Sequence, residues 1–481
     1  MSNKLSLITL LAVVLFTSCQ EKKITTAQLS GKYTGVDKPL TLLVRDHGSE
    51  LNFSIPIYID TVTTSADGLF SFTVEAANPK ELLLEAKSPD GNGKIYQTIF
   101  IEAGDSIYYE SDGKFRSPAK NLRGNGSNKL SVMDSTGNFI SGMAFYSIIG
   151  KKDSALVLAD FHERLKKYDS FIDSIKPLFS EPFVNHLQAS KAQETAYFLQ
   201  ILSSYLSAYG YPSFEVDSVE REEAYNELLS FSSRGYKNFN FGDQLYQVVM
   251  SRLPKTDTVS RRIDSYIVQV DSMHLPEEGR QLMIGKGILS FLRRGKVKEI
   301  EPTLRNFQAQ YPSSPYNKTL TAQFEEWSAL SAGKPAPDFA ATHVDGRPFK
   351  LSDLKGKVVY IDIWATWCGP CRAEFPYAKD IKKHYKKNDD IVFLYVSVDE
   401  EKETWLKYLK ENPDFEGLQV NDPGNFDSVI AKTYKVNGIP RYIVIDRDGK
   451  IFSTDAKRPS SGEELIAQLD QALGYPAYVK R

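Results

Sequence analysis

Two cysteines separated by two residues, in the run Trp367–Cys371 (WCGPC), stand between an apolar segment and an amphipathic one. The segment from Lys357 to Ile363 predicts a buried strand, and Cys371 to Lys386 predicts a helix. Further predicted elements follow in alternation: a strand at 391–398, helices at 400–410 and 426–434, a strand at 442–445 and a hairpin at 447–449. Strands that alternate with helices predict an α/β sheet with crossover connections. The cysteines therefore belong at a helix start beside that sheet.

The spacing of the two cysteines predicts a division of roles. Cys368, at the very start of a helix, would face backbone N–H groups without intrahelical partners and the positive end of the helix dipole, and both favour its thiolate. Cys371 lies on the same face and can attack a mixed disulfide that Cys368 has formed. Pro370 falls in the first turn, where its missing N–H costs no hydrogen bond. Half a zinc site is the alternative, but the sequence has no second cysteine pair or paired histidines.

This motif in this setting resembles the active site of the thioredoxin superfamily. Residues 333–481 as a whole resemble the TlpA/ResA-like branch of envelope thiol-disulfide proteins, and the helix at 400–410 with Leu418–Val420 resembles the insertion typical of that branch. The resemblance implies a thioredoxin-like fold and a redox-active disulfide between Cys368 and Cys371. It implies no dissociable cofactor, and the spacing of the histidines predicts no metal site.

The same resemblance places substrate contact on the segment around Pro440. It implies a cis Ile439–Pro440 bond packed against the cysteine pair, with the backbone of Ile439 exposed to an extended substrate peptide. An ordinary trans proline is the alternative. Gly438 and Trp367 would complete the substrate-binding surface. The family often has Thr after this proline, whereas Arg441 follows here, which leaves the substrate preference open.

Two carboxylates are candidates for moving the proton of Cys371. Asp362 lies on the predicted strand six residues before Cys368, where thioredoxins place a buried acid. Glu374 follows Cys371 by three, where TlpA/ResA-like proteins place an acid near the site. Burial beside the cysteines would raise a carboxyl pKa and let the group accept the proton as Cys371 attacks. The alternatives are a hydrogen-bonded buried acid for Asp362 and a solvated helix-face charge for Glu374.

Residues 1–18 have the pattern of a signal peptide. An apolar run from Leu5 to Phe16 is shorter than the ~20 residues that cross a bilayer, and Cys19 follows two small polar residues. A cysteine in this place resembles the bacterial lipoprotein cleavage box, which implies a lipid anchor on Cys19 and a tether at 19–28. A signal cut elsewhere is the alternative. Export predicts a cell-envelope protein facing the periplasm, where disulfides persist.

Two further domains are predicted before the C-terminal domain at 333–481. Short β-rich runs separated by turn clusters in 29–116 predict an all-β domain, an antiparallel sandwich or barrel, and resemble the β domain that precedes thioredoxin-like domains in Bacteroidetes envelope proteins. Residues 117–130 predict a loop in which Gly124 and Gly126 form a turn. Apolar residues at helical spacing predict a helical domain over 117–332. The fold class is therefore multidomain: an all-β sandwich, a helical middle and an α/β thioredoxin-like domain.

The charge balance limits the partners. Lys and Arg number 59 against 61 Asp and Glu, so the chain has no basic field for nucleic acid.

The cysteine motif and the predicted lipid anchor together indicate a lipid-anchored thiol-disulfide oxidoreductase. We expect it to reduce protein disulfides and to be recharged by a membrane electron donor, since Gly-Pro between the cysteines resembles reducing thioredoxins. The alternatives are a disulfide oxidase or isomerase, and a binding or scaffold lipoprotein with a vestigial redox domain. A peroxiredoxin-type peroxidase would need Thr where Ala365 stands.

Overall fold

Three regions follow one another along the chain in the computed structural model, as the sequence predicts: paired β sheets, a helical middle and a larger sheet flanked by helices. The structure describes residues 24–46, 48–51, 58–87, 94–112, 119–140, 154–204, 216–234, 241–253 and 259–475. The predicted signal peptide and Cys19 lie outside these residues. Within the described ranges, no helix is long and apolar enough to span a bilayer.

The N-terminal region is built from two four-stranded sheets. Its strands are β1 Thr26–Tyr33, β2 Thr41–Asp46, β3 Tyr58–Thr63, β4 Leu69–Glu75, β5 Lys80–Lys87, β6 Lys94–Ile101, β7 Ser106–Ser111 and β8 Lys120–Arg123. They are ordered β4-β1-β7-β8 in one sheet and β3-β2-β5-β6 in the other. Every second residue of β1 is buried, and Leu29 shares one apolar cluster with Leu42 and Leu84 of the other sheet. The two sheets thus enclose a sandwich core.

Two predictions for this region need correction. The sandwich is not wholly antiparallel, because β1 and β7 pair in parallel. Residues 117–130 are not simply a loop, since β8 pairs with β7 and a helix starts at Asn128. Strand β8 has one apolar residue in four and therefore no alternating pattern to reveal it. The turn at Gly124 and Gly126 is confirmed, with φ values of 88° and 83°.

Nine α-helices lie in the described part of the middle region. They are α1 Asn128–Ile140, α2 Ser154–Ile175, α3 Glu181–Ser204, α4 Ser218–Ser233, α5 Phe241–Arg252, α6 Val259–Ser272, α7 Glu277–Arg293, α8 Val297–Gln310 and α9 Asn317–Ala329. Phe161, Tyr168 and Ile172 on α2 are buried, and their helical spacing is of the kind from which this helical region is predicted. The helices also contact the sandwich, because the ammonium of Lys286 donates to the carbonyl of Leu51 at 2.7 Å.

The C-terminal region is a seven-stranded sheet with helices. Its elements are β9 Ala340–His343, β10 Pro348–Lys350, β11 Val358–Trp364, α10 Gly369–His384, β12 Ile391–Ser397, α11 Lys402–Glu411, β13 Leu418–Asn421, α12 Val429–Thr433, β14 Arg441–Ile445, β15 Ile451–Ser453 and α13 Glu463–Leu473. The order is β10-β9-β13-β12-β11-β14-β15. Strand β11 is buried throughout, parallel to β12 and antiparallel to β14. The WCGPC run therefore begins just beyond the end of a central strand.

The predicted helix at 426–434 is divided. A single turn at Asn425–Asp427 precedes α12, and Ser428 separates them as the N-cap whose hydroxyl accepts the N–H of Ala431. The carboxylate of Asp422 accepts the N–H of Ile430 at 2.6 Å and fixes the same helix start. The chain turns here because these polar side chains satisfy N–H groups that a longer helix would have paired internally.

Candidate active site

The two cysteines lie where β11 gives way to α10. The N–H of Cys368 donates to the carbonyl of Ala365 at 3.0 Å, which turns the chain into the helix. Cys368 is the N-cap of α10, and its sulfur accepts the N–H of Cys371 at 3.2 Å. Cys368 and Cys371 are joined by a disulfide with their Cα atoms 5.3 Å apart. The first sulfur thus lies on the N–H groups at the helix start, as the sequence predicts.

Both cysteines are buried. Cys371 is fully buried, and Cys368 is only 4% exposed. A position at the start of a helix does not make Cys368 an exposed residue, because its sulfur lies against the N–H of Cys371 in the first turn of α10. The exposed member of the motif is Trp367, at 53%, whose ring packs edge-on against that of Phe426 at 6.2 Å. The rings of Trp367 and Phe426 therefore form an aromatic surface next to the disulfide.

The segment around Pro440 reaches the same end of the sheet. The Ile439–Pro440 bond is cis, as predicted. Arg441 pairs with Ile363 in the β14–β11 ladder, so the segment lies next to the end of β11 from which the cysteine run departs. Gly438 is exposed, and Ile439 is partly buried against the core that also contains Cys368 and Cys371. The segment and the cysteine run thus lie at the same end of β11.

Asp362 is a buried carboxyl group without a hydrogen-bond partner. It is 1% exposed, and neither of its oxygens has a partner in the described structure. Burial raises its pKa well above the usual value, the charge of Glu374 raises it further, and Lys382 opposes the shift. No hydrogen bond in the described structure supports the alternative of a hydrogen-bonded buried acid. Because the pKa is raised, the group can hold a proton at a pH where an exposed carboxyl group has already lost it.

Glu374 is not a solvated charge. It is 6% exposed, and its carboxylate accepts the N–H of Ser460 at 2.8 Å and the hydroxyl of the same residue at 3.0 Å. The guanidinium of Arg458 lies 3.5 Å from it. Glu374 therefore fastens the loop at 458–461 to α10 one turn beyond Cys371. Sequence reasoning missed this loop, since its residues lie more than eighty positions away.

A further carboxylate, which was not among the candidates predicted from the sequence, fixes the residue before Trp367. Asp399 accepts the hydroxyl of Thr366 at 2.7 Å and its N–H at 3.0 Å, and it also accepts the hydroxyl of Ser397 at 2.7 Å. These bonds hold the entry to the cysteine run against the end of β12. The available signal was an acid placed directly after a predicted buried strand.

The residue after the proline connects two regions of the molecule. One terminal nitrogen of Arg441 donates to the carbonyl of Arg293, at the end of α7, at 2.8 Å. The other lies 3.4 Å from the carboxylate of Asp455. The helical region therefore contacts the C-terminal sheet one residue from the cis proline.

The C-terminal region is similar to known redox proteins. The family model described as Redoxin matches residues 331–473. The thiol-disulfide oxidoreductase ResA of Bacillus cereus (strain ATCC 10987 / NRS 248) is 32% identical over 151 residues, which are 31% of this chain and 81% of that protein. ResA of Bacillus subtilis (strain 168) is 33% identical over 132 residues, which are 27% of this chain and 70% of that protein. A solved thiol-disulfide oxidoreductase from Bacteroides fragilis is 28% identical over 29% of this chain and 98% of that chain, with a TM-score of 0.26.

Proposed function

Since this chain belongs to the ResA family of thiol-disulfide oxidoreductases, we propose that it reduces disulfides of other proteins through Cys368 and Cys371. The observation that carries the proposal is the position of the Cys368 sulfur at the N-cap of α10, 3.2 Å from the N–H of Cys371. In the reduced protein this position stabilises a thiolate, the form that attacks disulfides.

The proposed reaction is two successive exchanges. The Cys368 thiolate attacks one sulfur of the substrate disulfide, forms a mixed disulfide and releases the first substrate thiolate. The Cys371 thiolate then attacks the Cys368 sulfur, forms the internal disulfide and releases the second substrate thiolate. Two electrons pass from the cysteine pair to the substrate. The protons of the two cysteine thiols end on the two product thiols.

Asp362 is the proposed acceptor of the Cys371 proton. Cys371 is fully buried, so its deprotonation needs a base within the protein. A carboxyl group whose pKa is raised towards that of a thiol can exchange a proton with it at little cost. Glu374 is committed to Ser460 and Arg458, and this favours a positioning role for it, in holding the loop at 458–461.

The cell envelope is the proposed location. A lipid on Cys19 would anchor the chain, and the periplasm would supply protein disulfides. The internal disulfide formed in each cycle requires two electrons from a donor, and a membrane thiol carrier is the proposed class. Disulfide oxidation or isomerisation is the second candidate direction, and the reduction potential of the pair distinguishes them: near about −270 mV for a reductase and near about −120 mV for an oxidant.

A trapping experiment tests the proposed function. Cys371→Ser in the full chain should accumulate mixed disulfides between Cys368 and its natural partners, because no internal nucleophile remains to release them. Cys368→Ser is the matched control and should trap little, since Cys371 is buried and lacks the helix-start position. Recovery from cells, non-reducing electrophoresis and mass spectrometry identify the partners. Equal trapping by both variants, or none by either, would refute the division of roles.

A further inference from the structure

A groove of about 490 Å³ lies between the helical region and the C-terminal sheet, beside the cis proline. Gly438 and Pro440 are part of its wall. Its cationic side chains come from both regions: Arg262, Arg294, Lys296, Arg441, Lys457 and Arg458. Among the described residues that line it, Asp455 is the single acid. The groove is therefore strongly electropositive although the whole chain has a net charge of −2.

Half of these cations have no counter-charge in the described structure. Arg441 and Arg458 have carboxylates at 3.4 and 3.5 Å, and Lys457 pairs with Glu464. The remaining three, Arg262, Arg294 and Lys296, have no ion pair with described residues. A groove with this excess favours an anionic ligand.

Two guanidinium groups of the groove also have unused donors. The Nε atoms of Arg262 and Arg441 are buried and have no hydrogen-bond partner in the described structure. Burial lowers the pKa of Arg441, Asp455 opposes that shift, and the nearby charge of Arg294 lowers the pKa again. A desolvated donor without an acceptor is unfavourable, and an anion in the groove would offset the positive charge of both guanidinium groups.

The groove is continuous with the proposed substrate surface. Gly438 and Pro440 flank Ile439, whose backbone is the proposed docking edge. On the other side the loop at 458–461 contributes Arg458 and Ser461 to the groove and is bonded to Glu374, one turn beyond Cys371. A polypeptide that lies along Ile439 would continue into the groove. Because the cations line both walls, an extended segment with several carboxylates fits their arrangement better than one small anion.

We propose that this groove binds an acidic segment of the protein substrate next to its disulfide. The helical region would then form half of the substrate site and select acidic partners. This inference rests on the proposed function and specifies its substrate class.

Paired peptide substrates test the inference. Two synthetic peptides have the same disulfide, one flanked by glutamates and one by lysines, and the reduced full chain reduces each at low salt. We expect the acidic peptide to react about tenfold faster, because complementary charge raises the association rate, and the preference should shrink at high salt. Arg294→Glu with Lys296→Glu should abolish the preference. Lys298→Glu with Lys318→Glu, at exposed sites outside the groove, makes the same change of charge and should retain it.

A neutral disulfide, 4,4′-dithiodipyridine, separates the two proposals. If the unsubstituted chain does not reduce it, the proposed function fails. If the chain reduces it but reacts equally with both peptides, the groove assignment alone is overturned. Thermal unfolding establishes that both double variants are folded, and loss of preference in the exposed-site control would also overturn the assignment. If the chain binds inorganic phosphate but shows no preference for a cysteine-free acidic peptide over phosphate, the assignment is also overturned, because the groove would then be a small-anion site.

Discussion

Asp362 shows how a single side chain can be prepared for proton transfer by its strand. The strand β11 is buried along its whole length, so the carboxyl group is removed from water. Its register neighbours on β12 and β14 are Tyr395 and Tyr442, whose hydroxyls also lack partners in the described structure. The cluster thus contains polar groups that stabilise no charge on Asp362. The neutral form is therefore favoured more than it is in an exposed carboxyl group, which the raised pKa expresses.

The raised pKa predicts a pH dependence of stability. The native state binds the Asp362 proton more tightly than the unfolded state, whose carboxyl pKa is about 3.9. The stabilisation that this proton binding adds to the free energy of unfolding is therefore fully present below about pH 4. It is lost as the pH rises towards the folded-state pKa. Asp362→Asn should remove this loss, by about 1.4 kcal/mol for each pH unit between the two pKa values. Urea unfolding of the oxidised chain over a pH series measures it, and parallel curves for parent and variant would contradict it.

The same substitution should affect one exchange step more than the other. In Asp362→Asn, resolution of the mixed disulfide should slow by about 100-fold, the lower range for loss of a positioned base, while formation by Cys368 changes little. Rapid mixing with a peptide disulfide separates the two steps. Glu374→Gln is the matched control and should spare resolution. If Glu374→Gln alone slows resolution, the roles of the two acids are reversed, and if Asp362→Asn slows only formation, its proposed role is wrong.

At the scale of elements, local pattern and distant contact differ in what a sequence can predict. Strands β11 and β12 and helix α10 lie within two residues of their predicted bounds, because long apolar runs and helical spacing are properties of the segments themselves. The short β8 is defined by its pairing with β7 and has no pattern of its own.

The same distinction applies to the site. The position of Cys368 at the start of a helix could be predicted, because the hydrogen-bonding rules for helix starts depend only on the local sequence. The contact of Glu374 with Ser460 and that of Asp399 with Thr366 join residues far apart in the chain, and no spacing encodes them. The sequence therefore predicted the position of the cysteine pair at the start of α10 but not the bonds that hold it in place.

The turn after β8 gives a prediction at this scale. A Cβ atom at Gly124 would overlap the carbonyl oxygen of Ser106, and the residue has a φ of 88°. Gly104 has nearly the same φ, 87°, but nothing lies within 4 Å of such an atom. Gly104→Ala should therefore cost about 1–2 kcal/mol of unfolding free energy, and Gly124→Ala about 1–3 kcal/mol more. Urea unfolding compares them, and equal losses would contradict the steric argument.

At the scale of the molecule, the helical region is joined to both of its neighbours. One apolar cluster runs from Phe161 of α2 to Val396 of β12. Lys435 and Glu326 form an ion pair at 3.3 Å across the boundary with the C-terminal sheet. On the other side, the hydroxyl of Tyr316 donates to the carbonyl of Ser49 at 3.0 Å. The helices are therefore part of the redox protein's framework and not a loose spacer.

The proposed anchor gives a prediction about the whole chain. Cys19→Ala should release the protein from the membrane fraction, because acyl chains on that sulfur are the proposed attachment. Cell fractionation measures the distribution, and mass spectrometry of the N-terminal peptide detects the lipid. Cys371→Ser is the matched control for loss of a cysteine and should stay with the membrane. Membrane retention of the Cys19→Ala protein, with no acyl mass on the parent peptide, would contradict the anchor.

The bond between Arg441 and the carbonyl of Arg293 has a consequence for how such chains can be recombined. Position 441 belongs to the redox domain in sequence but to the helical region in its contacts. Grafting a redox domain with Thr at this position onto these helices would leave the end of α7 without its donor. In the reverse graft, the guanidinium would keep this bond only if the other helical region placed a carbonyl at the same point. We therefore expect a functional hybrid to need, at position 441, the residue of the protein that supplies the helical region.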